Sequence, residues 1–274
     1  MGRKSIFEQM EKLNLKYEVD VLRSLFNSKS IKIVKYRSIE EDVDAWRYIP
    51  SWKHNNRCRN CNDIRNKLKI DHIEAVTQPS VGDILTYIEY IANLLYLIER
   101  DTTRHKGFTP DYHLLKKNLN SLVAELHHEI KIIYSEEKVL VVEINPTATA
   151  VADIVDEPLG IKLIQYNHYL MKGDLETKRD VLLSLADKFE AIKSELKNYS
   201  QTVIADKVSF LLNNLNIRHN NLDGGYKKEY TANMDKTEIE SWYDITYDVL
   251  LLAILTHDYI KNIKPDIDSL QTHY

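Results

Sequence analysis

The chain has 274 residues, of which 43% are hydrophobic and 28% charged, a composition typical of a globular protein that buries a core without disulfides or structural metals. Glycine and proline are scarce, at 7 and 6 residues, so we expect few turns and long helices in preference to many short strands. The formal net charge of -4 argues against a protein that holds duplex DNA through an overall basic surface, but it leaves room for a local basic site.

Signals of localisation point to the cytoplasm. The two cysteines of the chain, Cys58 and Cys61, are too few for the disulfide framework of a secreted protein, which favours a reducing compartment. The N-terminal residues turn acidic where a signal peptide would be apolar. The most apolar stretch, 84–98, is interrupted by Glu89 and Asn93 and is shorter than the roughly 20 residues that cross a bilayer. We interpret it as a buried core helix and expect no membrane partner.

The first third of the chain predicts helices of unequal regularity. Apolar residues at three- and four-residue steps predict a helix over 4–26, whereas 28–56 shows no period and 57–70 is basic with a helical character. Ser80 and Asp83 have the spacing of a capping box, which is typical of a helix start. The apolar stretch that follows continues this helix.

The hydrophobic period changes from 3.6 to 2 near the middle of the chain. After a break near Gly107 and a predicted helix over 111–127, two β-branched runs at 129–134 and 139–144 flank a four-residue connection. This pattern predicts a β-hairpin. We expect it to decorate a helical body, because an isolated hairpin is only marginally stable.

Helical periodicity returns in the C-terminal part. The predicted helices cover 146–155, 158–171, 174–196 and 200–215. The last two of them carry continuous apolar stripes. Gly224 and Gly225 end this series, and Asp235 with Glu238 forms a second capping box that starts the final long helix.

These elements predict an all-α fold, made of one or more helical bundles with one inserted β-hairpin. We expect an N-terminal helical part at 1–105, a connecting helix and hairpin at 106–144, and a C-terminal helical bundle at 145–274. No flexible linker rich in glycine, serine or proline separates the parts, so the pattern leaves open whether they are separate domains.

One polar cluster is the strongest functional pointer. Five asparagines, an arginine and a histidine fall within nine residues at a predicted helix end; the asparagines are Asn213, Asn214, Asn216, Asn220 and Asn221. Arg218 offers a rigid fork of donors suited to phosphate, and His219 can move protons near neutral pH. Asn214, Asn220 and Asn221 are candidate binding residues because an amide both donates and accepts hydrogen bonds. The alternative is a polar helix terminus in which these side chains act only as caps.

The dipeptide Arg218-His219, in a helical C-terminal part, resembles the HEPN superfamily, whose members are helical bundles of prokaryotic defence, toxin–antitoxin and RNA-processing systems. Its active members are metal-independent ribonucleases with a motif of Arg, a polar residue and a later His. Arg218 and His219 match the first two positions, while 220–226 contains no His. The resemblance covers about residues 160–262. It implies that His219 assists attack of a ribose 2′-hydroxyl and that Arg218 stabilises the charge on the phosphate.

Two aromatic residues extend this hypothesis. Trp242 and Tyr243 stand early in the last predicted helix, and we expect them to form a wall on which a base stacks. Arg218 and His219 are then expected to lie partly exposed in a concavity beside that wall, because an unpaired arginine is costly to bury.

A second arginine and histidine have a related spacing. Arg65 and His72 would be two turns apart on a continuous helix and would share a face, so they could meet one phosphate. The alternative is an ordinary solvated basic helix.

A weak zinc pattern lies in the same region. Cys58 and Cys61, with His54 and His72, offer two thiolates and two imidazoles, the four ligands of a tetrahedral site. A zinc ribbon normally uses two cysteine pairs, so incidental free cysteines are the preferred interpretation, and we expect no metal and no other cofactor.

The residues together predict a HEPN-like protein that binds RNA or a nucleotide, or cleaves RNA without a metal as an endoribonuclease, in bacterial defence or stress response, with a homodimer as a further expectation. The alternative is a non-enzymatic helical interaction module whose polar cluster is structural.

Overall fold

The computed structural model describes residues 13–28, 37–52, 57–100 and 108–272. The chain divides into two units, Met1–Ile144 and Asn145–Tyr274. Regular structure in the described ranges is overwhelmingly helical, and their strands form one antiparallel hairpin. The prediction of an all-α fold with one inserted hairpin is confirmed. The division between the units falls directly after the hairpin, which therefore belongs to the first unit.

The first unit consists of short helices around one long apolar helix. Its elements are α1 (Leu15–Phe26), α2 (Ile39–Ala45), α3 (Tyr48–Ser51), α4 (Cys61–Leu68), α5 (Ile70–Ala75), α6 (Val81–Glu99), α7 (Pro110–Glu125), β1 (His128–Ile133) and β2 (Lys138–Glu143). The Asn14 side chain caps α1 by accepting a hydrogen bond from the N–H of Tyr17. The predicted start of this helix before residue 13 lies outside the described residues.

Two predictions for the first unit are wrong. The stretch 37–52 is not irregular, because a capping box between Ser38 and Glu41 starts α2. The helix predicted over 57–70 is broken at Lys69, whose φ of 57° places it in the left-handed region. This residue ends α4 and begins α5, so the helical period does not continue from one short helix into the next.

Helix α6 is the centre of the first unit. Ser80 and Asp83 form the predicted capping box at its N-terminus. Among the described residues, α6 is the one helix that has the length and composition of a membrane span, but 67% of its apolar window is buried inside the protein. Fully buried side chains such as Ile84, Ile88 and Ile91 show that α6 serves as a core helix, as the sequence predicted.

The hairpin begins and ends one residue earlier than the sequence predicted. Its register pairs Ile130 with Val141 and Ile132 with Val139. Glu137 adopts a left-handed conformation with φ of 52° at the turn. Val139 and Val141 are buried, whereas Ile132 is exposed, so one strand packs more deeply than the other.

The second unit is a helical bundle. Its elements are α8 (Pro146–Ala152), α9 (Glu157–Tyr166), α10 (Leu175–Asn198), α11 (Thr202–Asn214), α12 (Glu229–Ala232), α13 (Lys236–Asp258), a π-helical turn (Tyr259–Ile263) and α14 (Lys264–Gln271). Phe189, Leu212 and Leu250 are fully buried and belong to one core that α10, α11 and α13 share. The helix predicted over 158–171 ends at Tyr166, and the predicted capping box at Asp235 starts α13.

Candidate functional site

The polar cluster forms the loop between α11 and α12, residues 215–228, which we call the asparagine loop. Helix α11 ends at Asn214, and Asn216 then takes a left-handed conformation with φ of 57°. Asparagine tolerates this conformation better than most residues because its short amide hydrogen-bonds nearby backbone. Ile217 follows and is fully buried, so the loop is anchored in the core at its first turn.

Asn221 holds the loop closed. Its Oδ1 accepts from the N–H of Asn216 at 2.8 Å, and its own N–H donates to Oδ1 of Asn216 at 3.2 Å. Its Nδ2 donates to the carbonyl of Tyr226 at 3.0 Å, and its carbonyl accepts from the N–H of Lys228 at 2.9 Å. The residue is 1% exposed. Asn221 is therefore part of the loop scaffold, and the loop's own backbone occupies its side-chain amide.

The carbonyl of Asn216 ties the loop to two helices. It accepts hydrogen bonds from Nε of Arg179 at 2.7 Å and from the hydroxyl of Tyr243 at 3.3 Å. Burial raises the pKa of Tyr243, while Arg179 and the bond to Asn216 oppose that shift. Tyr243 is 2% exposed, so its ring is a core residue. The expectation that it forms an open stacking wall is corrected, because the loop and the bundle cover it.

Arg218 is half-buried and already has an anionic partner. Its Nη2 lies 2.7 Å from a carboxylate oxygen of Glu190 and donates to the carbonyl of Ala186 at 3.4 Å. Its backbone N–H donates to the carbonyl of Leu212. Burial opposes ionisation of Glu190, but the hydrogen bond and charge of Arg218, helped by Lys193, lower the pKa of Glu190 below its usual range.

His219 lies beside an aromatic residue that the sequence analysis did not single out. Its ring stacks on that of Tyr226, with ring centres 4.7 Å apart and planes at 15°. His219 is half-buried, while Tyr226 is 63% exposed. The only sequence signal for this contact was the glycine pair before Tyr226, which makes a return of the chain plausible but does not specify its target.

The remaining candidates have local roles. The Asn214 side chain donates to the carbonyl of Phe210 within α11. Asn220 accepts from the N–H groups of Leu222 and Asp223, and Trp242 packs half-buried against the core. The loop thus places Arg218 and His219 side by side, and the concavity expected around them stays a prediction.

A buried lysine in the second unit escaped the sequence analysis. Lys178 is 6% exposed, and its Nζ lies 2.8 Å from Glu240 and 2.7 Å from Asp244. The Tyr166 hydroxyl donates to the same Asp244 oxygen at 2.8 Å, and its ring stacks on that of Tyr247. Each charge has a partner, so the network links α10 to α13 without leaving the buried lysine unpaired. The sequence showed only a lysine in an amphipathic helix, with no signal for its partners.

Arg65 is mostly buried and does not lie on a solvated basic helix face. Its guanidinium is surrounded by three carboxylates, those of Glu40, Asp71 and Glu74, at 2.8, 2.5 and 2.8 Å. Its side chain is 14% exposed, whereas His72 is exposed beyond the break in the helix. Arg65 and His72 do not share a helix face, and the carboxylates occupy the donors that a phosphate would need.

The cysteines are buried and free. Burial raises the pKa of the Cys61 thiol, and the negative charge of Asp44 and its hydrogen bond raise that pKa further. The thiol donates a hydrogen bond to the carbonyl of Glu40. A thiol held in this way is a poor metal ligand, because zinc binds the thiolate. His54 lies outside the described residues, and within the described ranges no three His, Cys, Asp or Glu side chains are grouped to hold a metal.

Comparison of the chain with protein families, with curated proteins and with solved structures finds no match.

Proposed function

We propose that the asparagine loop binds single-stranded RNA, with Tyr226 as the base-stacking surface and Arg218 as a phosphate contact. The stack of His219 on Tyr226 carries the proposal: one face of the Tyr226 ring is supported at 4.7 Å, and the residue is still 63% exposed. A base can stack on an ordered aromatic face whatever its sequence, because every base has a π face.

The rigidity of the loop supports this proposal. Asn221 bonds the Tyr226 carbonyl from inside the loop, which fixes the backbone that carries the ring. A preorganised aromatic loses little conformational entropy when a ligand stacks on it. The hydrogen bonds that occupy the Asn221 amide therefore also hold the aromatic ring in place for a ligand.

Charge around the loop is locally basic but not strongly so. Arg218, Lys227 and Lys228 lie within it, and Lys228 is exposed. Lys227 pairs with the exposed Glu229 at 3.1 Å, a contact that solvent screens. Since the whole chain has a formal charge of -4, we expect RNA binding of moderate affinity that weakens steeply as salt is raised.

The geometry favours binding over cleavage. Arg218 is neutralised by Glu190 at 2.7 Å, so it can stabilise a phosphate only after it exchanges that partner. His219 is the sole histidine of the loop and is occupied in the ring stack. The HEPN-like resemblance therefore supports RNA binding in this proposal. Cleavage would require both Arg218 and His219 to rearrange.

Fluorescence anisotropy with a labelled single-stranded RNA of mixed sequence, at low salt, tests the stacking role. We expect Tyr226→Ala to weaken binding about 10-fold, the usual worth of one stacked base, and Tyr226→Phe to bind like wild type. Tyr134→Ala is the matched control, because Tyr134 is 75% exposed and lies in the first unit. Wild type that binds no RNA, or Tyr226→Ala that binds normally, would overturn the proposal and favour a purely structural loop.

A second pair of variants tests Arg218. Glu190→Gln removes the carboxylate charge that competes with phosphate, so we expect it to tighten RNA binding, whereas Arg218→Ala should weaken it. Both residues are part of a partly exposed pair, so neither change should alter the melting temperature by much. Equal affinity of Glu190→Gln and Arg218→Ala would remove Arg218 from the binding surface. If wild type degrades RNA and Arg218→Ala does not, the protein is a ribonuclease and the proposal of binding without cleavage is wrong.

A further inference from the structure

The outer edge of the hairpin in the first unit carries a second, independent inference. Strands β1 and β2 pair with each other along one edge each, which leaves each strand a second edge. Unpaired strand edges present rows of backbone donors and acceptors and are templates for another strand. The two outer edges of this hairpin differ in whether those groups are satisfied.

The outer edge of β2 is closed by side chains of α6. The Asn93 amide both accepts from the N–H of Val139 and donates to its carbonyl, each at 2.9 Å. Glu89 accepts from the N–H of Val141 at 2.7 Å. These side chains take the place of a neighbouring strand, so β2 cannot extend the sheet.

Within the described ranges, the outer edge of β1 has no hydrogen-bonding partner. Val139 and Val141 direct their backbone groups toward α6, and these residues are opposite Ile132 and Ile130 in the register. When two residues are directly opposite in an antiparallel pair, their backbone N–H and C=O groups point either both toward each other's strand or both away from it. The outward set in β1 is therefore His128, Ile130 and Ile132. Along the described chain no residue bonds the backbone groups on this outer edge.

We propose that β1 pairs antiparallel with β1 of a second copy of this chain, across a two-fold axis at Ile130, to give a four-stranded sheet. In this arrangement Ile130 is opposite its own counterpart and His128 is opposite Ile132. The outward backbone groups of all three residues then exchange hydrogen bonds with the partner strand. Such a contact is isologous, because the same patch serves both copies.

Charge complementarity selects this register and this partner. Between the hydrogen-bonded positions, Glu129 of one copy is opposite Lys131 of the other, at a non-hydrogen-bonded pair where side chains are closest. The two residues already form an ion pair along the strand, at 3.1 Å, so they lie on one face of the hairpin. In the dimer, the two glutamates and two lysines on this face therefore have neighbours of opposite charge. A shift of the axis by one residue would put Lys131 opposite Lys131 or Glu129 opposite Glu129, which is unfavourable.

The surface of β1 is compatible with a partner strand. Ile132 is 38% exposed, so an outward residue of β1 has apolar surface that a partner strand can cover. A protected edge strand usually carries like charges or proline that repel a second strand. Here antiparallel self-pairing brings opposite charges together, so the strand lacks that protection against its own copy.

Sedimentation velocity of the full chain over a range of concentrations tests the inference. Wild type should show a reversible monomer–dimer equilibrium. Glu129→Lys alone and Lys131→Glu alone should each weaken dimerisation by about 10-fold or more, since both cross-strand pairs become repulsive. Glu143→Lys is the matched control, because it makes the same charge change on β2, outside the proposed contact.

Mixing the variants tests the register. Equimolar Glu129→Lys and Lys131→Glu chains should form a heterodimer, because every cross-strand pair is again of opposite charge, and the double swap in one chain should restore the homodimer. Ile130→Pro should abolish dimerisation while leaving the helix-dominated circular dichroism spectrum largely unchanged, since it removes an outward N–H and none that pairs with β2. A monomeric wild type, or dimers that Glu129→Lys and Ile130→Pro leave intact, would overturn the proposal.

Discussion

Asn216 and Asn221 each accept a hydrogen bond from the backbone N–H of the other, so that two side-chain amides close the loop that follows α11. The pair also explains why the asparagine-rich stretch is compatible with a folded core. Asn216 adopts the left-handed conformation, and Asn221 satisfies the backbone that this turn would otherwise bury without partners.

Replacement of Asn221 by alanine should destabilise the second unit. The change leaves the N–H of Asn216 and the carbonyl of Tyr226 without their buried partner, and an unsatisfied buried group costs about 1–3 kcal/mol. Asn220→Ala is the control, since Asn220 is exposed and caps only the neighbouring turn. Urea unfolding would measure both free energies. Equal, small losses for the two variants would show that the reciprocal pair does not hold the loop.

Arg65→Met should be among the most destabilising single changes in the first unit. Removal of the guanidinium takes away the cation that Glu40 contacts and leaves Glu74 with the more exposed Arg23. In comparable cases the loss of one partner of a buried ion pair costs about 3–5 kcal/mol. Arg59→Met is the matched control, because Arg59 is 85% exposed in its pair with Asp63 and should cost less than about 1 kcal/mol. Thermal unfolding at neutral pH distinguishes them, and a mild effect of Arg65→Met would mean that the carboxylates are solvated.

The ion pair of Lys178 with Glu240 should make stability depend on acid pH. Burial opposes ionisation of Glu240, but the hydrogen bonds from Lys178 and the Gly173 N–H, together with nearby lysine charge, lower the pKa of Glu240. A carboxyl with a lowered folded-state pKa stabilises the protein above its unfolded pKa, near 4.3. That contribution is lost as the pH falls through the folded pKa.

We therefore expect wild type to be more stable than Glu240→Gln at neutral pH, and the difference to shrink as the pH falls below about 4. Urea midpoints measured at several pH values give this difference directly. Glu176→Gln, at an exposed position of α10, should show no such trend. A wild-type advantage that stays constant into strong acid would mean that Glu240 is not ionised in the folded protein.

Cys61 should react slowly in the native protein. Its thiol is buried and its pKa is raised, so little thiolate is present near neutral pH. Alkylation by iodoacetamide, followed by mass spectrometry, should label Cys61 far more slowly in native than in urea-unfolded protein. We also expect a chelator to leave the melting temperature unchanged. Rapid native labelling, or about one zinc per chain that is lost with Cys58→Ser, would restore the metal-site hypothesis.

Local signals in the sequence were sufficient for most elements. Capping boxes at Ser80 and Asp235 begin α6 and α13 as predicted, because such caps depend on residues only three apart. The hairpin was recognisable from its β-branched runs, and a one-residue shift of its bounds is small. One failure lies at Lys69, whose left-handed φ has no mark in the amino-acid pattern. The other, over 37–52, overlooked a local signal, the capping box of Ser38 and Glu41.

By itself, then, the sequence determined the all-α class, the position of the hairpin and the polar loop that contains Arg218 and His219. Only the tertiary structure decided what those side chains contact: Glu190 beside Arg218, Tyr226 on His219, and three carboxylates around Arg65. The physical reason is the range of each interaction. Helix caps and hydrophobic period are set by neighbours within one or two turns. Glu190 reaches Arg218, and Glu40 reaches Arg65, only after the helices have packed, and the stack of His219 on Tyr226 depends on how the loop between them folds back.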